Sequence, residues 1–83
     1  MHVTVISPER ALFEGDALAV TAPAFDGMVG ILPHHAPLLT LLGTGRLTVR
    51  QEGNSASSFR VAGGFLQVVG DSVRVVADRA DNS

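Results

Sequence analysis

Three histidines, eight carboxylates and six serines are the side chains of this 83-residue chain that could carry chemistry. His34 and His35 are neighbours in sequence, and adjacent residues in turn backbone do not converge on one metal. No His-x-x-x-His, Asp-x-Asp or His-Glu spacing accompanies them. His2 stands at the edge of the chain and reads as exposed. Gly27-Met28-Val29-Gly30 has the glycines of a phosphate loop but neither the helix start nor the lysine that grips phosphate. Ser7 and Ser72 lack the strand-turn-helix context of a nucleophile elbow, and the eight acids are scattered. No convergent catalytic set emerges, so the reading is a non-enzymatic domain with no cofactor and no metal.

Composition narrows the choice further. Without Cys there is no disulfide, thiol nucleophile or Cys-ligated zinc. All six basic residues are Arg. The absence of Lys removes a phosphate lysine, a Schiff base, and a lipoyl- or biotinyl-carrier role. A net charge of −2, four Phe and no Trp or Tyr disfavour a nucleic-acid partner, which would ask for a basic stripe and stacking rings. No stretch approaches the ~18–20 apolar residues of a membrane span. The first residues show no basic segment followed by an apolar core, so no leader is expected.

The Pro33-His34-His35-Ala36-Pro37 segment is the most distinctive local feature. Two prolines four residues apart forbid a strand or helix interior and predict a compact turn. Such a turn asks for left-handed backbone after the first proline, a region where His is enriched among non-glycine residues, so His34 reads as a conformational residue. His35 has two readings. Held between prolines, its ring can offer a nitrogen to a partner at small entropic cost. Equally, it can pack on the end of a sheet with its N–H on a backbone carbonyl.

The elements that must position these residues are strands. Eleven Val, nine Leu and two Ile, punctuated by nine Gly and four Pro, read as a β protein. Alternation and turn punctuation predict strands near residues 2–7, 10–14, 17–22, 28–32, 46–51 and 58–62; periodicity alone reads 38–42 as a strand or a buried helical turn, and its short length before Gly43-Thr44-Gly45 favours a strand. Ser7-Pro8, Gly15-Asp16 and Pro23 end the first three. Gly63-Gly64 reads as a break or bulge. The last hairpin can be registered. A two-residue Gly70-Asp71 turn of type II′ puts Val69 opposite Ser72, Val68 opposite Val73, Gln67 opposite Arg74 and Leu66 opposite Val75. One face (Leu66, Val68, Val73, Val75) is wholly apolar and belongs to the core. The other (Phe65, Gln67, Val69, Arg74, Val76) is mixed; either a partner or a neighbouring strand covers it. The fold class is thus all-β: eight or nine short strands in a flattened sandwich or barrel, without C-terminal helices. The fold occupies residues 1–78, with 79–83 a disordered tail.

Three ordered segments carry a family resemblance. Gly27-Met28-Val29-Gly30-Ile31-Leu32-Pro33-His34-His35-Ala36-Pro37-Leu38-Leu39-Thr40 resembles the hallmark of the ATP synthase epsilon subunit, an apolar strand ending in Pro-Gly-His-Ala-Pro-Leu-Leu. Val5-Ile6-Ser7-Pro8-Glu9 with Leu12-Phe13-Glu14-Gly15 is similar to that family's opening. Val61-Ala62-Gly63-Gly64-Phe65 with Val73-Arg74-Val75-Val76-Ala77-Asp78 is similar to its Gly-Gly-Phe hairpin and terminal strand. Together they cover residues 3–78.

The resemblance implies a flattened sandwich of about ten mostly antiparallel strands. It implies a non-catalytic central-stalk part that binds the gamma subunit, rests on the c-ring and couples ion-driven rotation to ATP synthesis. It implies a peripheral place at the cytoplasmic face of a bacterial inner membrane, without insertion. By position, Ser7, Pro33, His35 and Pro37 fall where the family meets gamma, and Phe25, Asp26, Gly27 and Met28 where it meets the c-ring. His34, Gly70 and Asp71 are assigned to turns. His34 stands where the family has Gly or Asn, and Met28 where many relatives carry an acid. The family's C-terminal helical hairpin is not encoded in these 83 residues, so neither self-inhibition by an inserted helix nor ATP binding is expected. The competing reading is a small β-barrel that binds nucleic acid or protein, which the acidic balance and scarce aromatics disfavour.

Overall fold

β-Branched residues at alternate positions set the frame. Val3 and Val5 in the first strand, and Val73 and Val75 in the last, point to the same interior and exclude water completely or almost so. The computed structural model describes residues 1–34 and 36–82. It contains β1 (His2–Ile6), β2 (Ala11–Asp16), β3 (Ala19–Ala24), β4 (Gly27–Ile31), β5 (Leu38–Leu41), β6 (Thr44–Arg50), β7 (Ala56–Val69) and β8 (Ser72–Asn82). The described residues form no helix.

The strands join in the order β2-β1-β8-β7-β6-β3-β4, and β5 pairs with β7. Only β1 with β8 is parallel. The sheet is not closed: β2 and β4 end the path. It folds over on itself through its longest hairpin. On one side β7 pairs with β8 throughout. On the other side β6 takes the first half of β7 and β5 the second, end to end. One layer is therefore β2, β1, the start of β8, the end of β7, and β5. The other is the end of β8, the start of β7, β6, β3 and β4. Phe13 of β2 and Phe59 of early β7 meet edge to face across the layers, with ring centres 6.4 Å apart.

The fold-over is visible in the alternation itself. Phe59 and Val61 are buried, yet further along β7 the buried residues are Leu66 and Val68. The inward face changes from odd to even numbers across Gly63 and Gly64, both of which have positive φ. A Cβ on Gly64 would collide with the Val76 carbonyl oxygen, so only glycine lets β7 and β8 approach at this corner. The register of β7 with β8 is the same on both sides of the corner. What reads in sequence as a break is a kink within one continuous strand.

The predicted register of the last hairpin is found at all four positions. Gly70 takes φ 59° and Asp71 is not among the positive-φ residues, as a type II′ turn requires. Its inward face is core: Leu66, Val68, Val73 and Val75 are all buried. Burial of each such side chain contributes about 1.5–3 kcal/mol.

Several boundaries differ from the sequence reading: β2 runs through Gly15 and Asp16, expected to end it, and pairs them with Val3 and His2. β3 continues through Pro23, which faces Met28 on β4 and needs no N–H there. More consequentially, the expected tail is not loose through residue 82: Arg79 to Asn82 continue β8 and pair with Ala62 to Phe59. Ser83 lies outside the described residues. The strand persists because β7 offers a paired edge for it to follow, a tertiary effect that local composition does not carry.

Candidate docking faces

The outer face of the β5-containing layer is open and carries an apolar patch, interrupted by Gln67, the partner of Leu39, and by exposed Arg74 on β8. Leu39 and Leu41 of β5 alternate with the inward Leu38 and Thr40, and expose 68% and 62% of their surface. Phe65 stands in register beside Leu41 and is 37% exposed; with Leu39 these two line a shallow apolar hollow. Exposed Val69 and half-buried Val76 continue the patch on β7 and β8. Ile6 of β1 pairs with Val76 and extends it one strand further. Among the described residues no strand covers Phe65 and Val76, the alternative that the sequence left open. Apolar side chains in such a group mark an interaction surface more often than isolated ones do.

Pro33, His34 and Pro37 lie at the rim of this face. Leu38 pairs with Val68, so the turn leaves the sheet beside Val69. His34 has φ 67°, the left-handed backbone expected of it. Pro33, His34 and Pro37 are exposed. His35, expected as a gamma contact, lies outside the described residues. Ser7 occupies the opposite corner of the layer, just past Ile6. Its N–H donates to the Arg10 carbonyl at 2.9 Å, and its hydroxyl donates to the same oxygen at 3.3 Å. Ser7 thus closes the β1–β2 turn around Pro8. Ser7 and the prolines sit on the rim of one face but do not touch; β8 and β7 lie between their strands, so three strand spacings, roughly 14 Å, separate them across the sheet.

The third surface is the tip of the β3–β4 hairpin. Phe25 and Asp26 form its two-residue turn, with Ala24 opposite Gly27 and Gly27 at φ 131°. Phe25 and Met28 expose 68% and 62% of their surface. The tip is tied down: the Phe25 N–H donates to the Leu41 carbonyl at 3.0 Å, and the Gly43 N–H to Pro23 at 2.8 Å. Phe25, Asp26, Gly27 and Met28 therefore come together on one rigid protrusion, next to the Leu41 end of the apolar face. Two phenyl- and thioether-sized side chains flanking one carboxylate can make apolar contact with a second protein, with Asp26 available for one polar contact.

Among the described residues nothing comparable gathers titratable side chains. A hollow of about 590 Å³ opens at the other end of the sandwich between Asp16–Leu18, Gln51, Glu52, Ser55 and Asp71. The α-amino group of Met1 lies there, donating to the Ala17 carbonyl at 3.2 Å and sitting 3.8 Å from Asp71. Among the described residues no three His, Cys, Asp or Glu side chains are placed to hold a metal ion. Asp71, assigned in sequence to a turn, lines this hollow as well as forming the turn.

Sequence reasoning missed Leu39 and Leu41. The run Leu38-Leu39-Thr40-Leu41-Leu42 is apolar at both parities, so it does not reveal which side faces out. The pairing of β5 with β7 decides it.

With this geometry, comparisons place the chain among known proteins. The family model for the ATP synthase delta/epsilon chain β-sandwich domain matches residues 1–83. The ATP synthase epsilon chain of Roseiflexus sp. (strain RS-1) is 39% identical over 83 residues, covering 100% of this chain and 59% of that protein. That of Brevibacillus brevis is 40% identical over 81 residues, covering 98% and 61%. The chain thus spans about 60% of the length of these curated relatives. Among solved structures, a chain of the Euglena gracilis mitochondrial ATP synthase OSCP/F1/c-ring assembly superposes with a TM-score of 0.89 at 23% identity, over 96% of this chain and 51% of that one. A chain of the Tetrahymena thermophila central stalk/c-ring assembly gives 0.79 at 20% identity, over 98% and 65%. At these identities the structural matches speak for the fold.

Proposed function

The chain belongs to the ATP synthase delta/epsilon chain β-sandwich family, and from that premise we propose that it is a non-catalytic rotor part of an F-type ATP synthase. It docks on the gamma subunit through the apolar patch of Leu39, Leu41 and Phe65, with Ser7, Pro33 and Pro37 at the rim, and His35 is the further gamma contact that the sequence resemblance implies. It meets the c-ring through the hairpin tip of Phe25, Asp26, Gly27 and Met28. Ion-driven rotation of the ring is thereby coupled to the gamma shaft and to ATP synthesis. The site of action is peripheral, at the cytoplasmic face of a bacterial inner membrane.

The observation that carries this reading is the open apolar face beside a pinned hairpin tip. A part that transmits torque needs two separate docking surfaces joined by stiff material. Here the ladder of β5 against β7, and the bond from Phe25 to Leu41, tie one surface rigidly to the other. To survive rotation, the gamma contact should bury more than ~1,000 Å² in total. Co-expression with the gamma subunit of the same organism tests the reading. The expected result is a stoichiometric complex that persists through gel filtration. Separate elution of the two chains at micromolar concentration would overturn it.

A further inference from the structure

The opposite outer face, on the layer of β3, β6 and early β7, has a different character. Arg46 of β6 is the register partner of Arg60 of β7, so two guanidinium groups project side by side from one face. Arg50 lies on the same side of β6, and Arg79 projects from β8 opposite Ala62, one step along from Arg60. All four are exposed. They are scattered between positions 46 and 79, which is why no basic stripe is legible in the sequence; strand pairing assembles it. One carboxylate, Asp81, shares the face as the partner of Arg60 on β8, yet among the described residues none of these arginines is in an ion pair. Around the arginines the face is small and polar: Thr21, Thr48 and Ser58 form one row across it, and Ala19 and Ala56 flank Arg50, while exposed Met28, opposite Pro23, stands at the β4 edge.

Like charges placed directly opposite each other on a sheet are destabilising. The chain as a whole carries −2, so this local excess runs against its overall charge. We propose that the arginine face of Arg46, Arg50, Arg60 and Arg79 is a second protein-docking surface, and that its occupant is an acidic polypeptide segment. Carboxylates between Arg46 and Arg60 would relieve the repulsion and take bidentate pairs from both planar forks. The surrounding hydroxyls supply further hydrogen bonds to a polypeptide. A lipid surface fits less well: among the described residues no large exposed apolar side chain stands between the arginines, Met28 lying out at the β4 edge, and four charges fall at the low end of what holds a peripheral segment to anionic lipid. Nucleic acid fits less well because no aromatic ring lies among these residues.

The inference assumes the rotor reading only in choosing the complex in which to test it. The full-length protein in its assembled synthase is given a photoreactive benzoylphenylalanine in place of Thr44, beside the arginines, or in place of Val69, on the apolar face. The Thr44 probe is expected to label a polypeptide stretch containing several Asp or Glu. R46E is expected to cut that yield at least tenfold while leaving the melting temperature equal or higher, because it turns a repulsive cross-strand pair into an attractive one. Replacing the labelled acids by Lys should restore the yield with R46E. Labelling of phospholipid, of nucleic acid or of a stretch without acids, or no adduct at all, overturns the proposal. An unchanged yield with R46E does so too. The Val69 probe reads the gamma contact separately, so its silence beside a productive Thr44 probe overturns the rotor reading and not this one.

Discussion

His34 and Gly64 hold backbone conformations that decide local shape. His34 pays for left-handed backbone with its Cβ, a cost of about 1–2 kcal/mol. His34→Gly should therefore leave stability unchanged or raise it by up to about 1 kcal/mol, after allowing for the freer unfolded chain. A β-branched replacement, His34→Val, should lower it by about 1 kcal/mol or more. Urea denaturation of the pair checks this; equal midpoints would mean that the turn relaxes at no cost. Gly64 is the stricter case, since its φ of 106° and the close Val76 carbonyl oppose any side chain. Gly64→Ala should cost about 3 kcal/mol or more. The His34 conformation is legible in sequence because two prolines bracket the turn. The close approach at Gly64 is not, because the atoms it accommodates belong to β8, a dozen residues on.

β7 and β8 together connect both layers, and their two ends test different things. Val68 is buried opposite Val73, both on the core face. Val68→Asp should unfold the domain, since a carboxylate there meets no partner; a native-like circular dichroism spectrum would contradict this. The far end of β8 is the sharper test. Truncation after Asp78 removes the pairing of Arg79–Asn82 with β7 and takes away half-buried Ala80, which packs on the core. The expected loss is about 1–3 kcal/mol, the net of several backbone hydrogen bonds and the entropy regained by the freed residues. A disordered tail would cost nothing. The hairpin register was readable from Gly70-Asp71 because turn chemistry is local. The end of β8 was not, because Asp78-Arg79-Ala80-Asp81-Asn82 contains no β-branched residue and only one apolar side chain.

For the molecule as a slab, function rests on its two broad faces being different while the core between them is continuous. A substitution on an outer face should then separate docking from folding. Leu41 is 62% exposed, and its backbone carbonyl, not its side chain, holds the hairpin tip. Leu41→Glu should shift stability by no more than about 0.5 kcal/mol. On the proposed gamma contact it places a charge in the centre of the apolar hollow, and the complex should weaken at least tenfold, about 1.4 kcal/mol. Isothermal titration against gamma, read beside thermal melts of the free chain, distinguishes the two effects. Pro37→Ala tests the rim in the same way: weaker gamma binding with an unchanged β spectrum supports a contact, whereas loss of the spectrum assigns Pro37 to the fold alone. If Leu41→Glu binds gamma as tightly as the parent chain, the apolar face is not the gamma contact, and the rigid link between β5 and the hairpin tip would have to serve another partner.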